Sequence, residues 1–189
     1  MRVTLGILLL ALSSLALSAT ANAFEEGKFQ VGVTGGNSTF YGDVKDRTSG
    51  NALAGGALIG FYANDALAFN IGYLSSSPNN LRHSEITAGV DGYFSGTEGI
   101  LPYLTGGVVL VSNTFRTPTA NYSGDAFGLY GGAGLDFDLG KNLRAGVALR
   151  HNFVFDADKT IASTKVKTVQ DNTNVLARIM FSFGESTWW

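Results

Sequence analysis

Six charged residues stand at alternating positions in segments that are otherwise apolar or small: Glu85, Asp91, Asp136, Arg144, Arg150 and Arg178. Three carboxylates against three guanidiniums form a balanced set, and charges placed among apolar residues must pair with one another to be tolerated. Asp136 and Arg144 flank a turn-like stretch from Asp138 to Asn142. A turn centred on Gly140 sets the two opposite each other on adjacent strands, as a hydrogen-bonded ion pair. Arg150 and Arg178 fall close together farther along, where Asp91, with Glu85 above it, can supply a carboxylate from across the interior. Such ions either fill and satisfy a core or gate a narrow pore.

Enzymatic chemistry has less to work with. His83 falls in an expected loop and is followed by Ser84 and Glu85, but Glu85 points inward; His151 is followed by Asn152 and Phe153. Neither neighbourhood makes a nucleophile, base and acid set. No His or Cys spacing suits a metal, cysteine is absent, and no cofactor is expected. A formal net charge of −2 leaves no basic surface for nucleic acid.

What positions the six charges is legible from the rest of the chain. Arg2, the apolar stretch from Leu5 to Leu17 and the tripeptide Ala21-Asn22-Ala23 predict a cleaved secretory signal over residues 1–23, leaving 24–189 as one domain. No later stretch approaches the roughly 20 apolar residues of a membrane helix, so an embedded chain must cross as strands. Twenty-five glycines, 13 Phe and 7 Tyr against three prolines favour strands over helices.

Period-2 alternation recurs in eight windows. The last sets Val175, Ala177, Ile179, Phe181 and Phe183 against Asn174, Arg178 and Ser182, and the seventh sets Leu143, Ala145, Val147 and Leu149 against Arg144, Gly146, Arg150 and Asn152. The second window, about Leu53 to Ala63, and the fifth, about Leu101 to Val111, are apolar on both faces, which leaves their register open. Short turns at Asn64-Asp65, Ser95 to Gly99 and Asp138 to Asn142 alternate with longer polar segments at 37–52, 75–84, 112–124 and 155–172. An even-stranded meander with all its long loops at one end is what outer-membrane barrels show.

Alternation alone does not say which face meets lipid. The polar face is rich in glycine, which suits a narrow crowded interior, and its few charges balance. Aromatics cluster near strand ends (Phe29, Tyr73, Phe94, Tyr103, Phe127, Phe137, Phe153, Phe181, Phe183), where interfacial girdles belong. The expected fold is an all-β, eight-stranded antiparallel up-and-down transmembrane β-barrel. In hydrocarbon such a sheet must close, because no other partner satisfies its backbone.

Pro102-Tyr103-Leu104-Thr105-Gly106-Gly107-Val108 resembles a strand of the small outer-membrane β-barrel superfamily that includes the OmpA transmembrane domain, OmpX and the opacity proteins. Phe127 to Asp136, followed by Leu139-Gly140-Lys141-Asn142, is similar to that family's sixth strand and the turn after it. The resemblance covers essentially all of the expected mature chain. It implies an outer-membrane location, contact with outer-membrane lipid and lipopolysaccharide, and insertion by the barrel assembly machinery, which reads a terminal aromatic. Phe183 ends the alternation and Trp189 ends the sequence, so either can be that signal. Gly184 to Trp189 follow the last window, so the resemblance is not expected to extend to the cell-wall tethering that OmpA achieves through a domain after its barrel.

The leading expectation is a structural or surface-interaction role, with host or cell-surface ligands met through the four long loops. Those loops carry charges of both signs, notably Asp43, Lys45, Asp46 and Arg47 in the first and Asp156, Asp158, Lys159, Lys165 and Lys167 in the fourth. A narrow gated channel is the alternative. A lipid A-modifying enzyme ranks third, and an eight-stranded interior, about wide enough for side chains alone, argues against diffusion of metabolites.

Overall fold

In each strand a side chain that can face hydrocarbon alternates with one that is small or polar, and closing such a sheet puts the first kind outside. The computed structural model describes residues 27–42, 50–94, 99–116, 121–140, 142–155, 157–161, 164–169 and 171–184. The strands are β1 (Phe29–Phe40), β2 (Asn51–Asn64), β3 (Leu67–Ser76), β4 (Leu81–Tyr93), β5 (Ile100–Arg116), β6 (Asn121–Gly140), β7 (Leu143–Val154), β8 (Ala157–Ile161), β9 (Thr164–Val169) and β10 (Asn172–Phe183). Eight of them form a closed barrel in the order β1-β10-β7-β6-β5-β4-β3-β2, every pair antiparallel. The remaining two, β8 and β9, make a separate hairpin inside the connection from β7 to β10. All of β1 pairs with β10, from Phe29 opposite Phe183 to Phe40 opposite Asn172, and this seam leaves no open edge.

The distribution of side chains is inverted relative to a water-soluble protein. Val33, Ile59, Ile71, Leu149, Val175 and Ile179 are exposed on the outer wall, while Ser38, Glu85, Asp136, Asn152, Asn172 and Asn174 are fully buried in the lumen. Rings gather at both ends of the wall. Phe29 lies 5.2 Å from Phe61 and 6.2 Å from Phe183 at the turn end, and Phe127 lies 6.1 Å from Phe155 at the loop end. Strands two and five now have a register: Ala54, Leu58 and Tyr62 face in against Leu53, Ile59 and Phe61, and Val109 and Val111 face in against Val108 and Leu110.

Several sequence expectations need correction. Expected loops are largely strand: the segment 75–84 shrinks to residues 77–80 between β3 and β4, β1 and β2 reach into 37–52, β5 and β6 reach into 112–124, and 155–172 contains the β8–β9 hairpin. Strand pairing does not stop where apolar residues stop; above the lipid the ladder continues with polar side chains. His83 accordingly sits in β4 and points into the lumen, with 1% exposure. Tyr103 was expected in a girdle, but the odd positions of β5 face inward, and it is buried among lumen rings. The expected signal 1–23, Trp189, and the loop residues Asp43, Lys45, Asp46, Arg47 and Asp156 lie outside the described residues.

Candidate functional site: the charged lumen

All six charged residues singled out in the sequence line the interior, because each occupies an inward position of β4, β6, β7 or β10. They divide into two groups by height.

The lower group is built on Arg178. Its Nε donates to Asp136 Oδ1 at 2.9 Å, Nη2 to Asp136 Oδ2 at 2.6 Å, and Nη1 to Asp91 Oδ2 at 3.0 Å. The planar fork of arginine thus takes Asp136 side-on and still reaches a second carboxylate. Its guanidinium also lies 4.0 Å from the centroid of the Tyr103 ring. Tyr93 closes the cycle: its hydroxyl donates to Asp136 Oδ2 at 3.1 Å and accepts from Arg178 Nη2 at 3.1 Å. Asp91 takes a further bond from Asn70 Nδ2 at 2.9 Å. The Asp136 carboxylate has room only because residue 146 is glycine; a Cβ there would overlap Asp136 Oδ1. Replacing Tyr93 by Phe removes a hydroxyl shared by two charged groups. The expected cost is about 1–2 kcal/mol of stability, read as a lower urea midpoint in detergent.

The expected opposition of Asp136 and Arg144 is not what the register shows. Arg144 lies opposite Asp138, and Asp136 lies opposite Gly146. The turn is centred one residue later than Gly140, and pairing is irregular between Asp138 and Gly140, where Gly140 takes φ 144° and its N–H donates to Asp138 Oδ1 at 3.1 Å. Moving a turn centre by one residue moves every cross-strand partner by two. Arg144 Nη1 donates to the Tyr62 hydroxyl at 2.7 Å, and that hydroxyl donates to Gln30 Oε1 at 2.7 Å, low in the barrel.

The upper group surrounds Glu85. Arg150 Nη2 donates to Glu85 Oε2, Asn172 Nδ2 to Oε1 at 2.6 Å, and Asn174 Nδ2 to Oε1 at 3.2 Å. His83 Nε2 lies 2.8 Å from Glu85 Oε1, and its Nδ1 lies 2.6 Å from Asn113 Oδ1. Both ring nitrogens are engaged, so neither is left to deprotonate a nucleophile. The second histidine, His151, faces outward on β7; its Nδ1 is 2.8 Å from the Thr173 hydroxyl and its ring packs against Tyr41 and Phe153. Asn113 and Asn172 fell in expected loops, and Gln30, which alternation places on the polar face of the first strand, was not counted among the site residues.

Between the groups lies a cavity of about 70 Å³ bordered by Asp91, Tyr103, Thr105, Tyr130, Arg150 and Arg178. That is room for a few water molecules. Below it Tyr62, Tyr93 and Tyr103 form a floor. Above it Phe40 and Leu81 pack together, His83 meets Phe40 edge-on at 4.9 Å, and Val169 of β9 is buried against Val109, Val111 and Ala126.

The family model for the outer membrane protein beta-barrel domain matches residues 7–181. Neisserial surface protein A is similar in structure, with TM-score 0.66 and 17% identity over 84% of this chain and 100% of that one. The N-terminal β-barrel domain of Pseudomonas aeruginosa OprF gives TM-score 0.64 and 15% identity over 84% and 98%. Ail, the attachment invasion locus protein of Yersinia pestis, gives 0.55 and 12% over 84% and 99%. No curated protein matches the chain by sequence. At these identities the structural likenesses speak for the fold, and the family match over most of the chain carries the assignment: the protein belongs to the outer membrane protein beta-barrel domain family.

Proposed function

We propose that this barrel is a rigid outer-membrane platform whose work is done by its cell-surface connections, as a structural or surface-interaction protein, and that its lumen is a packed core. The observation that carries this reading is the filling of the interior at two levels, with Arg178 and Arg150 each held by carboxylates and amides on other strands. A pore would need a continuous wet path, and the tyrosine floor and the Phe40, Leu81 and Val169 roof oppose one. The β8–β9 hairpin, whose Val169 is buried against Val109, Val111 and Ala126, is the segment of the long connection that we assign to partner contact. Ail, a structurally similar barrel named for attachment and invasion, has been crystallised with the heparin analogue sucrose octasulfate, which makes a cell-surface partner a reasonable class to test here. Outer-membrane lipid, lipopolysaccharide and the assembly machinery complete the expected partners.

The test compares two sets of variants. Replacing the segment 156–170 by a short Gly-Ser turn is expected to abolish binding of cells to host-cell or matrix-coated surfaces while leaving the barrel folded. Arg150→Ala and Arg178→Ala in the lumen are expected to leave that binding unchanged in whatever protein folds. Planar-bilayer recordings of the unaltered chain are expected to show no steady conductance. Regular channel openings whose size changes in Arg150→Ala would move the assignment to a gated pore.

A further inference from the structure

We propose that Arg82 and Arg116, side by side on the outer wall of β4 and β5, bind a phosphate of the phosphorylated glycolipid that forms the outer leaflet. The inference rests on the outer-membrane family assignment and is independent of the loop-based reading above.

The outer face of these strands carries its own ruler. Ascending β4, the outward residues run Val90, Ala88, Ile86, then Ser84 and Arg82; on β5 they run Val108, Leu110, then Ser112, Thr114 and Arg116. Ile86 pairs with Leu110, and both are about half exposed. Ser84 pairs with Ser112 one step higher, so the wall changes from hydrocarbon-facing to hydroxyl-bearing at one level. Arg82 lies four residues past Ile86, about 13 Å along the strand. With strands tilted by about 40°, that is roughly 10 Å in height. A headgroup layer some 5–7 Å deep on each side of the hydrocarbon falls within reach of a flexible arginine set there.

The register brings the two guanidiniums together. Arg82 lies opposite Thr114, and Arg116 is the next outward residue beyond it. Diagonal neighbours of this kind are about 7–8 Å apart, close enough for two long side chains to meet on one oxyanion. The Arg116 N–H donates to the Asn80 carbonyl at 2.8 Å, which ties the end of β5 to the β3–β4 turn and sets both arginines on one frame.

The arginines also lack what every lumen arginine has. Arg144, Arg150 and Arg178 are engaged by tyrosines or carboxylates. The exposed Arg82 and Arg116 guanidiniums make no hydrogen bond or ion pair among the described residues. On the adjoining strand β6 the exposed carboxylate of that face is Asp125, paired across from Ser112 and so two outward positions below Arg116. Two adjacent cations repel. A phosphate ester removes the repulsion and matches the forked donors of arginine, while Thr114 and Ser84 place hydroxyls toward the same headgroup.

The experiment uses the full chain purified from outer membranes into detergent, with lipid binding followed by calorimetric titration in mixed micelles. The probes are diphosphorylated lipid A, the same lipid dephosphorylated, inorganic phosphate and heparin. The unaltered protein is expected to bind diphosphorylated lipid A at least tenfold more tightly than the dephosphorylated lipid. The double variant Arg82→Gln, Arg116→Gln should lose that preference while keeping its heat-modifiable gel mobility. Arg82→Lys with Arg116→Lys, which keeps the charge but not the forked donors, should fall between them and serves if the glutamine variant folds poorly. Unchanged lipid A binding in the double variant overturns the proposal. So does inorganic phosphate binding as tightly as lipid A, which would assign a soluble anion, or arginine-dependent binding of heparin alone, which would assign a sulfated glycan.

Discussion

Substituting Arg178 by methionine is expected to lower the unfolding free energy by about 3–5 kcal/mol, a loss large enough to leave little folded barrel in moderate urea. The reason is not that the ion pairs are strong in themselves. Arg178 is the cation bonded to both Asp91 and Asp136, and taking it away strands two carboxylates in a tyrosine-lined interior.

 The triple variant Asp91→Asn, Asp136→Asn, Arg178→Met removes the charges together and is expected to recover most of the loss, because a neutral filled interior has no stranded ion. Equilibrium unfolding by urea in detergent, followed by far-ultraviolet circular dichroism, reads both. Equal losses in the single and triple variants would show that charge compensation is not what this network supplies.

Gly36→Ala is expected to be at least as damaging, about 3 kcal/mol or more, or to prevent closure altogether. Gly36 sits on the seam where β1 meets β10, opposite Leu176. A Cβ there would overlap the Val175 carbonyl oxygen and lie 2.9 Å from the Leu176 Cα, so the neighbour that must move is backbone in the closing ladder. The outward-facing Gly55 is the control, since a Cβ there meets nothing within 4 Å. Gly55→Ala should stay within about 0.5 kcal/mol of the unaltered protein. Heat-modifiable gel mobility after refolding separates the two: Gly55→Ala keeps the compact band and Gly36→Ala loses it. A compact Gly36→Ala barrel of normal stability would mean that the strands at the seam can part without cost.

The barrel itself was legible in the sequence because period-2 alternation is a local property. Val175 to Phe183 against Asn174 to Ser182 needs nothing beyond the backbone to put one set of side chains on each face. Strand ends were harder. The sequence reading stopped strands at the last apolar residue, yet β4 continues through Ser84, His83 and Arg82 because pairing with β3 and β5 rewards the backbone whatever the side chain. The same error turned His83 into a loop residue and hid Asn113 and Asn172. β8 and β9 were missed although Thr164-Lys165-Val166-Lys167-Thr168-Val169 alternates, because it was read together with its polar surroundings.

Alternation along single strands is enough to give a chain that crosses as strands, an apolar outer face, and a common inner face for Glu85, Asp91, Asp136, Arg144, Arg150 and Arg178. Which of these charges touch follows from closure of the barrel. Partners such as Arg178 with Asp91, or Arg150 with Glu85, lie on strands that are not neighbours, and they meet across the lumen because closure sets their heights. For strands that are neighbours, as with Asp136 and Arg144, a turn centred one residue later changed every pairing. Alternation assigns a side chain to a face, but its height on that face depends on turn geometry and on the register of the closed ladder, and neither can be read from a single strand.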